Sequence, residues 1–197
     1  MHLINFRIYL LAFLLIFLSG CAGNPALRKI DPDRAIPLSD LNHWQLNARV
    51  AITTPEDNVT ASLNWQKDQL LFDFFLSGPF GVTIAHLIQQ ENSASLKIPD
   101  TDKLTHYDAE RLLQQTLGWD FPIHALSYWV KGLPSGQPGE VVSYNDKGQV
   151  SKISLDQWQI DFSKYRLYQG YVLPKMIKAT HPEISLKVVA KKWLFLE

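Results

Sequence analysis

The sequence contains a single cysteine, Cys21, so no disulfide bond within one chain can stabilise the fold. Lysine and arginine together number 19, as do aspartate and glutamate, which leaves a formal net charge of zero. A chain with neither excess positive charge nor a basic stripe is not typical of a nucleic-acid-binding protein. We therefore expect no nucleic acid among its partners.

Motifs of catalytic and metal sites are scarce as well. The six histidines include no pair at the spacing of a helical or zinc-finger metal site. The nucleophile-elbow motif Gly-x-Ser-x-Gly and phosphate-cradling glycine loops are also absent. These absences favour a protein that is not an enzyme, with no catalytic residues, no metal and no cofactor.

The one long apolar run stands near the beginning of the chain. Residues 8–17 are almost wholly apolar and follow a start that carries Arg7, and residues 18–20 lead directly into Cys21. A membrane-spanning helix needs about 20 apolar residues, whereas a run of roughly 7–15 followed by small residues is typical of a secretory signal peptide. We expect cleavage before Cys21 and lipid attachment to its thiol. The weaker alternative is an ordinary signal peptide followed by a chance cysteine.

The residues after Cys21 indicate a destination and a tether. Ala22 stands where lipoproteins retained in the inner membrane of diderm bacteria commonly carry aspartate, so we expect an anchor in the outer membrane, facing the periplasm. Pro25 and Pro32 interrupt a stretch without periodicity. The predicted organisation is a cleaved signal peptide over 1–20, a lipidated tether over 21–37 and a single domain over 38–197.

Alternation of apolar and polar residues dominates the domain. It begins at Trp44 and continues through Ile52, and residues 59–66 repeat it after a Thr-Pro-Glu-Asp turn. This pattern predicts two half-buried strands paired as a hairpin. Further strands are predicted over 70–77, 82–90, 140–144, 150–155, 158–162, 171–179 and 184–196. We expect one antiparallel sheet in a mainly β, α+β fold.

Two short helices are predicted in the middle of the chain. Asp108 is placed to cap a helix over 109–117, which Gly118 ends. Pro122 opens a second helix that ends at Gly132. Aromatic residues make up 12% of the chain, six of them tryptophan, which implies large apolar surfaces.

The turn Pro79-Phe80-Gly81 is unusual because a large aromatic residue occupies a hairpin tip. In one interpretation Phe80 protrudes and enters lipid or an apolar ligand, gaining about 1.5–3 kcal/mol on burial. In the other, Phe80 folds back onto the sheet and completes the core. The residues alone do not separate the two.

From about Trp44 to the C-terminus the chain resembles the LolB family, outer-membrane lipoproteins that accept other lipoproteins from a periplasmic carrier and release them into the membrane. No single motif decides the resemblance, but the ordered set of landmarks is specific. The landmarks are Trp44, Arg49, Trp65, Pro79, Phe80, Gly81, Asp108, Ala109, Glu110, Leu112, Leu113, Gly118, Pro122, Leu126, Trp129, Gly132, Leu133, Pro134, Trp158, Tyr165, Leu173 and Pro174.

The resemblance implies an unclosed antiparallel β-barrel of about eleven strands, a LolA/LolB-like half-barrel whose apolar inner face is covered by a short α-helical lid. Acyl chains of cargo would lodge between sheet and lid. The implied partners are the periplasmic carrier LolA, cargo lipoproteins and outer-membrane lipids, and the implied state is a monomer. Transfer would need no nucleotide and would follow affinity gradients that end in the bilayer.

The resemblance also implies site residues. In the family an apolar residue, often Leu, in the Pro-x-Gly loop is needed to deliver cargo, so Pro79, Phe80 and Gly81 form the expected membrane-insertion loop. Candidate cavity residues are those on the apolar faces of the predicted elements. They are Trp44, Leu46, Val50, Leu63, Trp65, Phe72, Phe74, Leu112, Leu126 and Trp129.

Two rival functions stay open at this point. The first is an outer-membrane lipoprotein scaffold that braces an envelope assembly machine and binds protein instead of acyl chains. The second is a lipid-tethered periplasmic hydrolase, for which the sequence offers no nucleophile–base pair.

Overall fold

The computed structural model describes residue 38 and residues 41–195. The predicted signal peptide, Cys21 and the predicted tether lie outside the described residues, so the predicted boundaries at 20 and 37 stay predictions. No helix in the described part is long and apolar enough to cross a membrane.

Thirteen strands account for most of the described chain. They are β1 His43–Thr53, β2 Asn58–Asp68, β3 Leu71–Ser77, β4 Thr83–Gln89, β5 Ala94–Lys97, β6 Leu104–His106, β7 Val141–Tyr144, β8 Val150–Leu155, β9 Trp158–Ser163, β10 Arg166–Tyr168, β11 Tyr171–Leu173, β12 Met176–His181 and β13 Ile184–Phe195. Eleven of them form one sheet in the order β6-β5-β4-β3-β2-β1-β13-β12-β9-β8-β7, and β10 and β11 form a separate hairpin.

The large sheet is antiparallel throughout and does not close. Its end strands β6 and β7 are not paired with each other in the described part. The strand register shifts between Asn47 and Ala48, between Leu76 and Ser77, and between Ser143 and Tyr144. Such irregularities bend a strand and increase its twist. The expected unclosed barrel of about eleven strands is therefore confirmed.

Two helices cover one face of the sheet, which we call the inner face. Helix α1 spans Ala109–Leu117 and helix α2 spans Ile123–Trp129. The Asp108 carboxylate accepts a hydrogen bond from the Arg111 N–H at 2.9 Å, and Gly118 adopts the left-handed conformation that ends α1. Both predicted helices and the predicted cap are present, although α2 stops at Trp129, three residues before Gly132.

Strand prediction was wrong in one place and incomplete in three. The single strand predicted over 171–179 is divided into β11 and β12. Pro174 lies between them and has no N–H with which to continue a ladder, and the Lys175 N–H donates to Lys164 O instead. Strands β5, β6 and β10 were missed because three or four residues are too few to show alternation.

Tryptophans fill the inner face. Strand pairing aligns Trp193, Leu46, Trp65 and Phe74 across β13, β1, β2 and β3. The rings of Trp44 and Trp65 meet edge to face with centroids 5.3 Å apart, as do those of Trp44 and Trp193. Edge-to-face packing places the positive edge of one ring against the negative face of another. This cluster anchors one end of the core.

Gly132 and Gly118 form a matched pair for a stability test. Both have positive φ, +74° and +80°. A Cβ at Gly132 would lie 2.5 Å from the Tyr165 hydroxyl oxygen, whereas a Cβ at Gly118 would meet nothing within 4 Å. The Tyr165 hydroxyl cannot move away freely because it donates to Val150 O at 2.7 Å.

We expect Gly118→Ala to lower the free energy of unfolding by about 1–2 kcal/mol, the cost of a left-handed non-glycine residue. Gly132→Ala should lose a further 1–3 kcal/mol or so from overpacking against Tyr165. Urea unfolding monitored by circular dichroism measures both. Equal losses in the two variants would show that the Tyr165 contact is relieved at no cost.

Candidate functional site

An apolar cavity lies between the inner face and the lid formed by α1, α2 and the connecting residues 118–122. Its volume is about 190 Å³. Every residue on its wall is apolar, from Val50 and Leu63 in the sheet to Leu113 and Leu126 in the helices. The cavity lies toward the end of the sheet that carries the β3–β4 turn, since Leu76 and Ala85, on either side of that turn, both line it.

Five of the ten predicted cavity residues are on this wall: Val50, Leu63, Trp65, Phe74 and Leu126. The structure does not place the other five there. Trp44, Leu46, Phe72, Leu112 and Trp129 are buried in the same hydrophobic core. In the sheet, pairing aligns Trp44, Lys67 and Phe72 in a row beyond Trp65, farther from the β3–β4 turn.

Sequence reasoning missed several wall residues whose signal was available. Ile184, Leu186 and Val188 alternate along β13, and Ala85 and Leu87 alternate along β4. Leu113 and Leu117 are four residues apart on α1 and share one helical face. The positions of Trp119 and Phe121 could not be inferred from periodicity, because both lie in the loop between the helices.

Three hydrogen bonds hold the lid in place, two of them to its surroundings and one between its helices. The Gln89 side-chain oxygen accepts from the Ala109 N–H at 2.9 Å, which attaches the start of α1 to β4. The Glu110 carboxylate accepts from the His124 N–H at 3.0 Å and joins the two helices. The Trp129 indole N–H donates to Glu140 at 2.7 Å. The loop 118–122 between the helices carries none of these attachments.

The β3–β4 turn carries an apolar side chain into solvent. Phe80 is fully exposed, with a relative exposure of 106%, and neighbouring Val82 is exposed as well. Phe80 has a φ of 57°, in the left-handed region that a bulky residue rarely adopts. Of the two interpretations left open by the sequence, the structure shows the protruding side chain.

Two lysines are buried near the end of the inner face that is farther from the β3–β4 turn. Lys67 lies two residues after Trp65 in β2, so its side chain is on the same face of the sheet, and its ammonium donates to Gln69 O. The Lys131 ammonium donates to Leu41 O at 2.9 Å. Lys131 also lies 5.1 Å from the centre of the Tyr128 ring. Burial, and secondarily the charge of Lys67, lowers the pKa of Lys131 to about 8, and burial lowers the pKa of Lys67.

These lysines predict stability that increases with pH. The ordinary lysine pKa is 10.5, so between about pH 8 and 10.5 the unfolded chain binds more protons than the folded protein, and unfolding becomes less favourable as pH rises. We expect a higher urea midpoint at about pH 9.5 than at about pH 7, with most of the rise lost in Lys131→Met. The exposed Lys178→Met is the control, and an undiminished rise in Lys131→Met would contradict the assignment.

The structure shows no built metal site in the part of the chain it describes. No group of three His, Cys, Asp or Glu side chains there could hold an ion. The site combines an apolar cavity, a helical lid and an exposed apolar loop at one end of the sheet.

Comparisons with known proteins agree with this architecture. An outer-membrane lipoprotein LolB from Pseudomonas fluorescens (strain Pf-5) is 30% identical over 95% of this chain and 96% of its own length. One from Marinomonas sp. (strain MWYL1) is 30% identical over 89% and 91%. A solved structure from Vibrio parahaemolyticus, described as an outer membrane lipoprotein-sorting protein domain, has a TM-score of 0.53 at 11% identity, covering 84% of this chain and 90% of that one.

The last likeness shows the fold alone, since its sequence identity is low. The family described as "Outer membrane lipoprotein LolB" matches residues 42–193, which is well over half of the chain and includes both helices and the β3–β4 turn. This chain therefore belongs to the LolB family.

Proposed function

We propose that this protein is an outer-membrane-anchored acceptor that receives lipoproteins from the periplasmic carrier LolA and inserts them into the inner leaflet of the outer membrane. Lipid on Cys21 would hold it at the periplasmic face. Family membership and the names of the relatives support the broad role. The carrier, the cavity and the loop are the finer parts of the proposal, and each has its own support.

The observation that carries the proposal is the wholly apolar wall of the cavity between the sheet and the lid. An acyl chain has no hydrogen-bonding groups along its length, and each methylene it buries contributes about 0.8 kcal/mol. A polar ligand would leave its own groups unpaired against such a wall. The cavity therefore favours hydrocarbon.

The cavity is small for this task in the described conformation. Sites for small molecules commonly measure about 300–1,000 Å³, and this one measures about 190 Å³. We infer that the lid lies close to the sheet in this conformation and that cargo binding displaces it. Displacement would begin at residues 118–122, because the start of α1 and the end of α2 are hydrogen bonded to Gln89 and Glu140.

The direction of transfer follows from relative affinity and needs no nucleotide. Cargo acyl chains would move from the carrier to a more favourable cavity and then to the bilayer. The bilayer is the most favourable site because several acyl chains can bury their whole apolar surface there. The exposed Phe80 lies at the same end of the sheet as the cavity. It would contact the membrane where the chains leave.

The test is a two-step transfer assay with residues 21–197, which carry Cys21→Ser so that the protein stays in solution. LolA loaded with a fluorescent lipoprotein is mixed with this chain, and liposomes are added afterwards. We expect label to move to the chain and then to the liposomes. A folded chain that never takes the label, yet co-purifies with an outer-membrane barrel, would replace the proposal with the scaffold function.

A further inference from the structure

A second, larger depression lies beside the lid. Its volume is about 890 Å³ and it is open to solvent. One side is formed by α1 and residues 119–122, and the other by the β8–β9 turn and the β12–β13 turn. We call it the rim groove.

Acidic side chains dominate the rim groove. Five carboxylates and a single guanidinium, that of Arg111, line it. Two of the carboxylates are engaged with the lid, since Asp108 caps α1 and Glu110 accepts from the His124 N–H. The other three are Asp120, Asp156 and Glu183, which are exposed and have no basic nitrogen within 4.0 Å among the described residues.

Aromatic rings form the floor of the rim groove. The Trp119 ring stacks on His181 with centroids 4.9 Å apart at an angle of 17°. Trp158 meets Phe121 edge to face at 5.7 Å. Carboxylates and aromatic rings that line the same groove both attract cations, because the face of an aromatic ring is itself negative. The rim groove is therefore not only a solvated acidic surface.

Trp119 and Phe121 line both the rim groove and the apolar cavity. They are the partition between the two spaces and belong to the loop that lacks the attachments of the lid ends. A molecule whose hydrocarbon part enters the cavity past this partition would have its polar part delivered to the rim groove. The two spaces are thus suited to the two parts of one amphiphile.

We propose that the rim groove binds the polypeptide segment that follows the lipidated cysteine of a cargo lipoprotein and prefers basic residues in that segment. The inference rests on the proposed function. Its occupant follows from three observations: continuity with the acyl cavity, an excess of carboxylates, and a volume at the upper end of the range of ligand sites. A short extended peptide satisfies all three.

The preference should be moderate and sensitive to salt. Asp120, Asp156 and Glu183 are exposed, so each contact with a lysine is weakened by solvent and counterions. We expect a lipopeptide with lysines after its cysteine to bind about 5–20-fold more tightly than one with glutamates at low ionic strength. The ratio should fall toward one at about 1 M salt, where the screening length is roughly 3 Å.

The experiment compares three synthetic lipopeptides with the same triacylated cysteine and serine, followed by four lysines, four serines or four glutamates. Calorimetry with residues 21–197 carrying Cys21→Ser, below the micelle-forming concentration of the lipopeptides, gives each Kd. The groove variant combines Asp120→Asn, Asp156→Asn and Glu183→Gln. Its matched control combines Asp100→Asn, Asp102→Asn and Asp146→Asn, three exposed carboxylates outside the rim groove.

The inference holds if the order of affinity is lysine, serine, glutamate, and if the groove variant alone abolishes that order. Equal binding of the three lipopeptides would overturn the inference while leaving the proposed function intact. A lysine preference that survives in the groove variant would assign that preference to another surface and would also overturn the inference.

Binding of none of the three lipopeptides would overturn the proposed function. A groove variant that keeps the preference but takes up cargo from LolA more slowly would reassign the rim groove to carrier docking.

Discussion

Phe80→Glu is expected to leave the protein folded and able to take up cargo while reducing release into liposomes at least tenfold. The side chain is fully exposed, so its loss removes no packing from the folded state. Burial of a phenylalanine in lipid contributes about 1.5–3 kcal/mol, which corresponds to a factor of roughly ten or more in equilibrium constant, and a carboxylate adds a desolvation cost. The rate of label transfer from the loaded protein to liposomes measures the effect.

Two control variants test whether the effect depends on the shape of the side chain at position 80 and whether it follows from the loss of any exposed apolar residue. Phe80→Leu keeps an apolar side chain and should retain most of the release activity. Leu70 is also exposed, at 76%, but lies in the β2–β3 turn at the opposite end of β3. Leu70→Glu should therefore release cargo at the wild-type rate. Normal release by Phe80→Glu, or an equal defect in Leu70→Glu, would remove the β3–β4 turn from the delivery step.

Ala85→Phe is expected to reduce capture of cargo from the carrier at least tenfold. Ala85 is half-buried, lines the cavity and pairs with Leu76 across β3 and β4. A phenyl group there would occupy a large part of the 190 Å³ that we assign to acyl chains. The wall stays apolar, so the variant lowers capacity without introducing a charge into the core. Retention of labelled cargo by the purified protein measures capture.

The control for Ala85→Phe is Ala51→Phe. Ala51 is exposed on β1 between Val50 and Ile52, which both line the cavity, so its side chain lies on the outer face. Thermal unfolding of both variants separates lost capture from lost folding, since overpacking at Ala85 costs up to about 3 kcal/mol. Full capture by a folded Ala85→Phe protein would show that acyl chains bind elsewhere.

Much of the fold was predictable because long strands and capped helices leave local signals. Alternation from Trp44 located β1, and Asp108 and Gly118 marked both ends of α1. The half-barrel itself came from the resemblance to the family, since alternation shows which residues share a face but not how a sheet curves. The division at Pro174 could have been predicted from the missing N–H alone.

The candidate site was predictable only in part, for a geometric reason. Apolar periodicity identifies residues that face inward, and Trp44 and Trp65 share that property equally. Whether an inward residue packs against others or borders empty space depends on its depth along the strand and on where the lid lies. The rim groove depends on turns that are far apart in the chain, such as those that carry Asp120 and Glu183, and no local pattern records their proximity.

The distribution of tryptophans makes this protein its own optical reporter. Five of the six are buried, and only Trp119, on the partition between cavity and rim groove, is partly exposed. The intrinsic emission of the empty protein is therefore dominated by indoles already shielded from water. Trp119 and Trp65 are the two tryptophans that line the cavity, so a change in emission wavelength on loading would report on these two, and a shift toward longer wavelength would report on exposure of Trp119 if the loop between the helices moves as proposed.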